Sequence, residues 1–424
     1  MTYVAKGWLI KKREHGKIIF LDMRTIDQPW IPLQVVIKKQ EVDEITWENA
    51  KKLRQEASFI AEGELIQNPR APGGRELRGK RIIIVHNPEE PWPLGKKSHP
   101  PEVLMKYRHL SVRGQKFIKI WIVREKLIHY LREWFEKNHW HEVSPPIFVM
   151  TACEGGATLF RVKWFEEKIP VYLTQSAQLY LEALCFALGR VWCLAPSFRA
   201  EKSRTRRHLA EYWHLEAEAA FFNFEDNLRV QEDLVIYAIK KLLNDDVTGE
   251  LIKEIRGNVD DLDEIKAPLP RVTYTEAIEI LQRKNFKIKW GDDLGADEEK
   301  ALSEEIGTAF FLTHFPTEIK SFYVKLDPND PRVCLAADLI VPHVGEIIGG
   351  SERETDVNEL IKRIKAQGFD PTNYEWYLDL RRFGSVPHSG FGLGIDRFLM
   401  YILKLEHIRD TLPFPRLARV KYFI

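Results

Sequence analysis

The sequence predicts an α+β protein of more than one domain, with a small β-barrel first and a larger mixed domain of helices and strands after it. Three observations predict this. Residues 1–95 hold five β-rich runs and a single helical piece. Pro88, Pro91, Pro93, Pro100 and Pro101 then crowd one stretch, as at a domain boundary. Beyond it, amphipathic helical periods alternate with strand-like runs that carry clustered charge.

Composition bounds the rest. The 424 residues suffice for two or three domains with a large core. A formal net charge of +1 gives no global pull on nucleic acid, so any RNA contact must come from local patches such as Lys11-Lys12-Arg13. The sequence has no apolar run of membrane-spanning length, and Met1-Thr2-Tyr3 opens straight into a strand pattern rather than a signal peptide, so no membrane association is expected. The four cysteines form no C-x-x-C pair, which argues against a zinc site or a disulfide framework and for a reducing cytoplasm.

The runs VAKGWLIKKRE, GKIIFLDMR, PLQVVIKK, SFIAEGELIQ and KRIIIVHN read as five strands, with the helical TWENAKKLRQ between the third and the fourth. That order suits an OB-fold barrel, which commonly binds single-stranded nucleic acid on its strand face. Phe20 lies in the apolar run IIFL and could be plain core. The stretch Gly74 to Lys80 matches a G-x-x-x-x-G-K phosphate loop, but Arg81 follows where Ser or Thr is needed, and a strand follows where a helix is needed, so it reads as a barrel turn. Residues 96–112 read as a linker, and residues 113–424 as the second domain. There, apolar Ile120, Val123, Leu127, Leu131 and Trp134 mark an amphipathic helix. LTQSAQLYLEALCFALG reads as a strand end, a Ser176 cap and a helix stopped at Gly189. Residues 225–265 read as helical.

The chemistry concentrates in SFRAEKSRTRRHLAEYWHLEAEAAF, residues 197–221. Its first half is a strand entering a basic loop, and its second half a returning strand. Alternation puts Tyr212, His214, Glu216 and Glu218 on one face. Arginines, an aromatic ring and carboxylates on one face could hold a polyphosphate, a base and an ammonium group; a solvated charged hairpin is the alternative. Asp338 and Glu346 lie on what reads as a strand pair, and paired hard oxygens there suit Mg²⁺. Near the C-terminus, Gly390, Gly392 and Gly394 alternate on a strand, and Arg397 opens a helix whose N-terminus favours phosphate.

Phe198-Arg-Ala-Glu201, then Thr205-Arg-Arg-His-Leu-Ala-Glu211, resembles motif 2 of the class II aminoacyl-tRNA synthetases in their asparaginyl branch. Gly390-x-Gly-x-Gly-x-x-Arg397 resembles their motif 3, and His141 to Ile147 fits motif 1 with Pro146 as its proline. The likeness runs from about Val4 to Arg416. It implies an N-terminal OB-fold that reads the anticodon through Phe20 and Gln34, and an antiparallel-sheet catalytic domain flanked by helices. It further implies a homodimer joined near Pro146 and two-step ATP-dependent charging of tRNA. Arg199 and Arg397 become the catalytic arginines. The ATP site gathers Arg199, Glu201, Arg207, His208, Leu209, Tyr212, Glu346, Gly394 and Arg397, with Mg²⁺ on Asp338 and Glu346. Glu154, Ser176, Gln178, Glu216 and Arg353 are assigned to the amino acid.

Aspartyl enzymes of the same class carry a Lys at the position of Leu181. Its absence, with Glu216 as an acceptor and Arg353 as a donor, points to asparagine and tRNA(Asn). Three alternatives stay open at this point: an aspartyl enzyme, a catalytically inactive synthetase-like binding protein, and an asparagine synthetase relative. The last would lack the barrel.

Overall fold

The computed structural model of the protein describes residues 2–95, 99–153, 159–166, 168–201 and 205–418. The chain divides into two compact units between Ile122 and Val123.

The first unit contains a closed barrel. Its strands are β1 (Tyr3–His15), β2 (Ile18–Thr25), β3 (Leu33–Lys38), β4 (Ser58–Gln67) and β5 (Arg75–His86). They close in the order β1-β2-β3-β5-β4, with β3 and β5 parallel and the other pairs antiparallel. The helix Glu44–Lys52 lies between β3 and β4 in sequence, as expected. Asp43 caps it by accepting from Thr46 N–H at 2.7 Å, and its Trp47 and Ala50 join the barrel core. The run IIFL is a strand rather than a continuous core segment. Ile19, Leu21 and Met23 are buried at 0% exposure, whereas Phe20 between them faces outward and is half-buried. Each such buried aliphatic stabilises the barrel by roughly 1.5–3 kcal/mol. The apparent phosphate loop is a turn: Pro72–Gly74 is a short 3₁₀ segment, and the Gly79-Lys80 pair lies inside β5. The stretch read as a linker holds two short helices, Pro101–Lys106 and Arg108–Ser111. Pro at the first helical position starts the former without losing a hydrogen bond.

The expected amphipathic helix is Gln115–Lys137, and its five marker residues are at most 3% exposed. The second unit is built on an eight-stranded sheet. Its strands are β6 (His141–Glu142), β10 (Arg190–Phe198), β11 (Glu211–Ala220), β12 (Arg271–Thr273), β13 (Phe310–Pro316), β14 (Val333–Val341), β15 (Gly345–Glu352) and β16 (His388–Gly394). Between β6 and β10 in sequence, β7 (Phe148–Val149), β8 (Arg161–Val162) and β9 (Val171–Leu173) make a separate small sheet. The main order is β12-β13-β14-β15-β16-β11-β10-β6, antiparallel throughout its centre and parallel only at the two edge pairs. This places the charged hairpin β10–β11 beside the glycine strand β16, and β16 beside β15. Helices Phe224–Asn244 and Thr248–Arg256 fill the stretch read as helical.

Candidate active site

On β11 the alternation holds. Tyr212, His214, Glu216 and Glu218 share one face, and Leu215, Ala217 and Ala219 on the other are each 1% exposed. The glycines of β16 serve this face in a way their spacing did not reveal. A Cβ on Gly390 would sit 1.9 Å from Glu218 Oε2, and one on Gly392 would sit 2.3 Å from His214 Nε2. These two glycines make room for neighbouring side chains of the protein itself, and Gly392 also borders the cavity that holds Arg397. Gly394 opens onto the cavity beside Arg397.

Every residue that the resemblance assigned to ATP lines one cavity: Arg199, Glu201, Arg207, His208, Leu209, Tyr212, Glu346, Gly394 and Arg397. The guanidinium of Arg199 lies 5.7 Å from the Tyr212 ring centre, a cation–π arrangement. Arg397 donates through Nη1 to Glu346 Oε2 at 3.1 Å and to the Glu346 carbonyl at 3.0 Å. Arg207 is held by the carboxylate of Glu299, with Nη2 donating to Oε1 at 3.1 Å and Nη1 to Oε2. Burial, then the charges of Arg397, Arg207 and Arg199, lower the pKa of His208 to about 4, so its imidazole is neutral at neutral pH.

A second cavity of about 460 Å³ adjoins the first and shares Arg199, Glu346 and Arg397 with it. Ser176, Gln178, Glu216 and Arg353 line it, together with Leu181 and Asp338. Glu154 lies outside the described residues. Ser176 caps the helix Gln178–Leu188 as expected: Ala177 before it is already helical, and Ser176 Oγ accepts from Gln178 N–H at 3.1 Å. The same Oγ donates to Glu216. Glu216 also accepts from Ala177 N–H at 2.8 Å, so two donors hold its carboxylate against the cavity wall. Arg353 is bidentate on Glu218, at 2.9 Å for both contacts, and donates to Ser351 Oγ at 2.7 Å. Three of its five N–H groups are thus used and two remain.

Asp338 on β14 and Glu346 on β15 converge over Gly349. A Cβ there would lie 3.1 Å from Glu346 Oε1 and 3.5 Å from Asp338 Oδ1. Lys320 donates to both oxygens of Asp338, at 3.0 and 2.9 Å. Burial pushes Asp338 up to about 7; Lys320 opposes this, and Glu346 adds to it. Burial would also raise Glu346, but Arg397, Lys320, Arg199 and Arg207 bring it down to about 2. Two close carboxylates, Asp338 lifted by burial and Glu346 ionised, offer the hard oxygen ligands that a divalent cation takes. Among the described residues, Glu182, Glu218 and His388 also bring ligand atoms within 4.8 Å of one another. Arg381 and Arg353 already occupy those carboxylates, so that cluster is an ion-pair network rather than a metal site.

Reading the sequence missed Lys320, Glu299 and Glu182. The first two are ordinary charges far along the chain from Asp338 and Arg207. Glu182 carried a signal: it is the lone carboxylate of an apolar helix, one turn after Gln178.

Residues 100–418 match the family of class II tRNA synthetases (D, K and N). The asparagine–tRNA ligase of Pyrococcus abyssi is 50% identical over 97% of this chain and 93% of its own length. That of Pelotomaculum thermopropionicum is 45% identical over 98% and 95%. The crystal structure of asparaginyl-tRNA synthetase from Pyrococcus horikoshii complexed with asparaginyl-adenylate superposes with a TM-score of 0.93 at 49% identity, covering 98% of this chain and 94% of that one. The aspartyl-tRNA synthetase of Entamoeba histolytica gives 0.82 at 25% identity, covering 98% and 88%. The chain belongs to the class II aminoacyl-tRNA synthetases and, within them, to the asparagine–tRNA ligase family.

Proposed function

We propose that the protein ligates L-asparagine to tRNA(Asn) in two steps. The asparagine carboxylate attacks the α-phosphorus of ATP, and the bond to pyrophosphate breaks, leaving an asparaginyl-adenylate. The terminal 3′-hydroxyl of the tRNA then attacks the acyl carbon, and AMP leaves. Two anions must meet in the first step, so charge neutralisation and positioning dominate. Arg199, which lines both cavities and lies against the Tyr212 ring, clamps the α-phosphate and the carboxylate. Arg397 and Arg207 take the γ-phosphate, Arg207 by exchanging Glu299 for it, and neutral His208 donates one hydrogen bond. Tyr212 stacks on the adenine. Asp338 and Glu346 would hold Mg²⁺, which when bound draws charge from the phosphate oxygens. Ser176 and Gln178 orient the α-amino group.

One observation carries asparagine over aspartate. At the cavity wall Leu181 is 0% exposed and packs with Ala177, Cys185, Val191 and Cys193. The wall therefore offers no cation at that point, while Glu216 presents an acceptor for an amide NH₂. ATP–pyrophosphate exchange with each of the twenty amino acids tests this. Exchange with asparagine alone is expected, and equal exchange with aspartate overturns the reading.

The barrel (residues 1–95) reads the anticodon. Phe20, outward and within 5.4 Å of the Arg13 guanidinium, is a stacking platform, and Gln34, opposite Asp22 on β3, is tied to the same Arg13 at 3.0 Å and would exchange that bond for one to a base. Homodimerisation through the segment near Pro146 is supported by Ile147, Phe148 and Met150, which are 37%, 51% and 60% exposed. No described helix is long and apolar enough to cross a membrane. The protein acts in the cytoplasm, where its tRNA is found.

A further inference from the structure

We propose that Glu182, which does not line the cavity, is the positioning residue that sets selection of asparagine against aspartate; this rests on the function proposed above. Glu182 is 0% exposed and sits behind the cavity wall as the hub of a closed network. Gln178 Nε2 donates to its Oε1 at 3.0 Å, and Tyr377 Oη lies 2.9 and 2.8 Å from its two oxygens. Arg381 Nη2 donates to Oε2 at 2.7 Å, and His388 Nε2 lies 2.9 Å from the same oxygen. Arg353 Nε is 3.9 Å from Oε1.

Two consequences follow. Glu182 fixes Gln178 by a hydrogen bond and stands 3.9 Å from Arg353, which Glu218 and Ser351 hold; both Gln178 and Arg353 reach the cavity. It also completes a charge match. Arg353 is paired with Glu218, and Arg381 with Glu182, so each guanidinium already has its carboxylate. An incoming amide adds no charge to this arrangement. An incoming carboxylate adds an anion beside described cations that are already matched, Arg353 by Glu218 and Lys320 by Asp338, and such a charge in a desolvated site is strongly disfavoured.

Glu182→Gln keeps the size of the side chain and removes one negative charge. The measurement is kcat/KM for asparagine and for aspartate in ATP–pyrophosphate exchange, with the full-length protein. The variant is expected to narrow the asparagine-to-aspartate ratio by about tenfold or more, with aspartate use rising in absolute terms, which structural damage cannot produce. The double variant Glu182→Gln, Arg381→Gln removes one charge of each sign and is expected to restore most of the wild-type ratio. If the single variant does not fold, the double variant decides alone: a ratio still narrowed overturns the charge match. An unchanged ratio in a folded Glu182→Gln, or equal losses for both amino acids, overturns the proposal. Wild-type protein that fails to prefer asparagine would instead overturn the function itself.

Discussion

The two ends of the joined cavity handle charge in opposite ways. At the end proposed for the phosphates, Arg199, Arg207, Arg397 and neutral His208 line the cavity, and Glu346 and Glu299 hold two of these arginines. At the amino-acid end, Arg353 and Arg381 are locked to Glu218 and Glu182 among residues at most 7% exposed. A site that must attract a polyanion keeps cations that can change partner. A site that must exclude one extra negative charge keeps its cations permanently matched. The same residue types thus serve attraction at one end and rejection at the other, and the difference lies in burial and in fixed partners.

Breaking the phosphate end should have the largest effect. Arg199→Ala and Arg397→Ala should each cost about 3 kcal/mol or more of transition-state stabilisation, since each loses a charge-assisted donor in a largely enclosed site. Near-normal pyrophosphate exchange in either variant would remove it from the clamp.

Next in size is a change that both ends should ignore. Phe20→Ala should weaken tRNA charging by about 1–3 kcal/mol through lost base stacking. Asparagine-dependent pyrophosphate exchange should stay as it is in the wild type, and a parallel loss there would mean that Phe20 is structural.

At the amino-acid end, Glu216→Gln should narrow discrimination against aspartate, chiefly by weakening asparagine use, at about 1 kcal/mol for one lost charge-assisted acceptor. Measuring kcat/KM for both amino acids checks it, and a fall in both by the same factor would make Glu216 a scaffold for Ser176 only.

The smallest effect concerns His208. Its pKa is about 4 in the folded protein against an ordinary 6.5, so between these values the unfolded chain takes up a proton that the folded protein refuses. Its contribution to stability is complete above pH 6.5 and is lost as the pH falls through this window. Denaturation of wild type and of His208→Gln at pH 7 and pH 5 should show the wild type losing ground relative to the variant at pH 5. An unchanged gap would mean that neither burial nor the arginines disfavour the charged imidazole.

The sequence by itself determined the α+β architecture, the five-stranded barrel and the marker face of the helix Gln115–Lys137. It also determined the hairpin face of Tyr212, His214, Glu216 and Glu218, because hydrophobic period and strand alternation are local properties. The nine residues that the resemblance assigned to ATP line one cavity, since they sit on or next to neighbouring strands of a single sheet. Only the tertiary structure decided what those residues touch. Phe20 could not be separated from core until the barrel closed and showed which side of β2 faces out. The alternation of Gly390 and Gly392 was legible, but only the pairing of β16 with β11 showed that their missing side chains leave space for Glu218 and His214. Glu299 on Arg207, Lys320 on Asp338 and Arg381 on Glu182 are separated by 92, 18 and 199 residues in the chain. No local pattern encodes such pairs, because a charge on a helix face looks the same whether it meets water or a buried partner, and only the fold determines which.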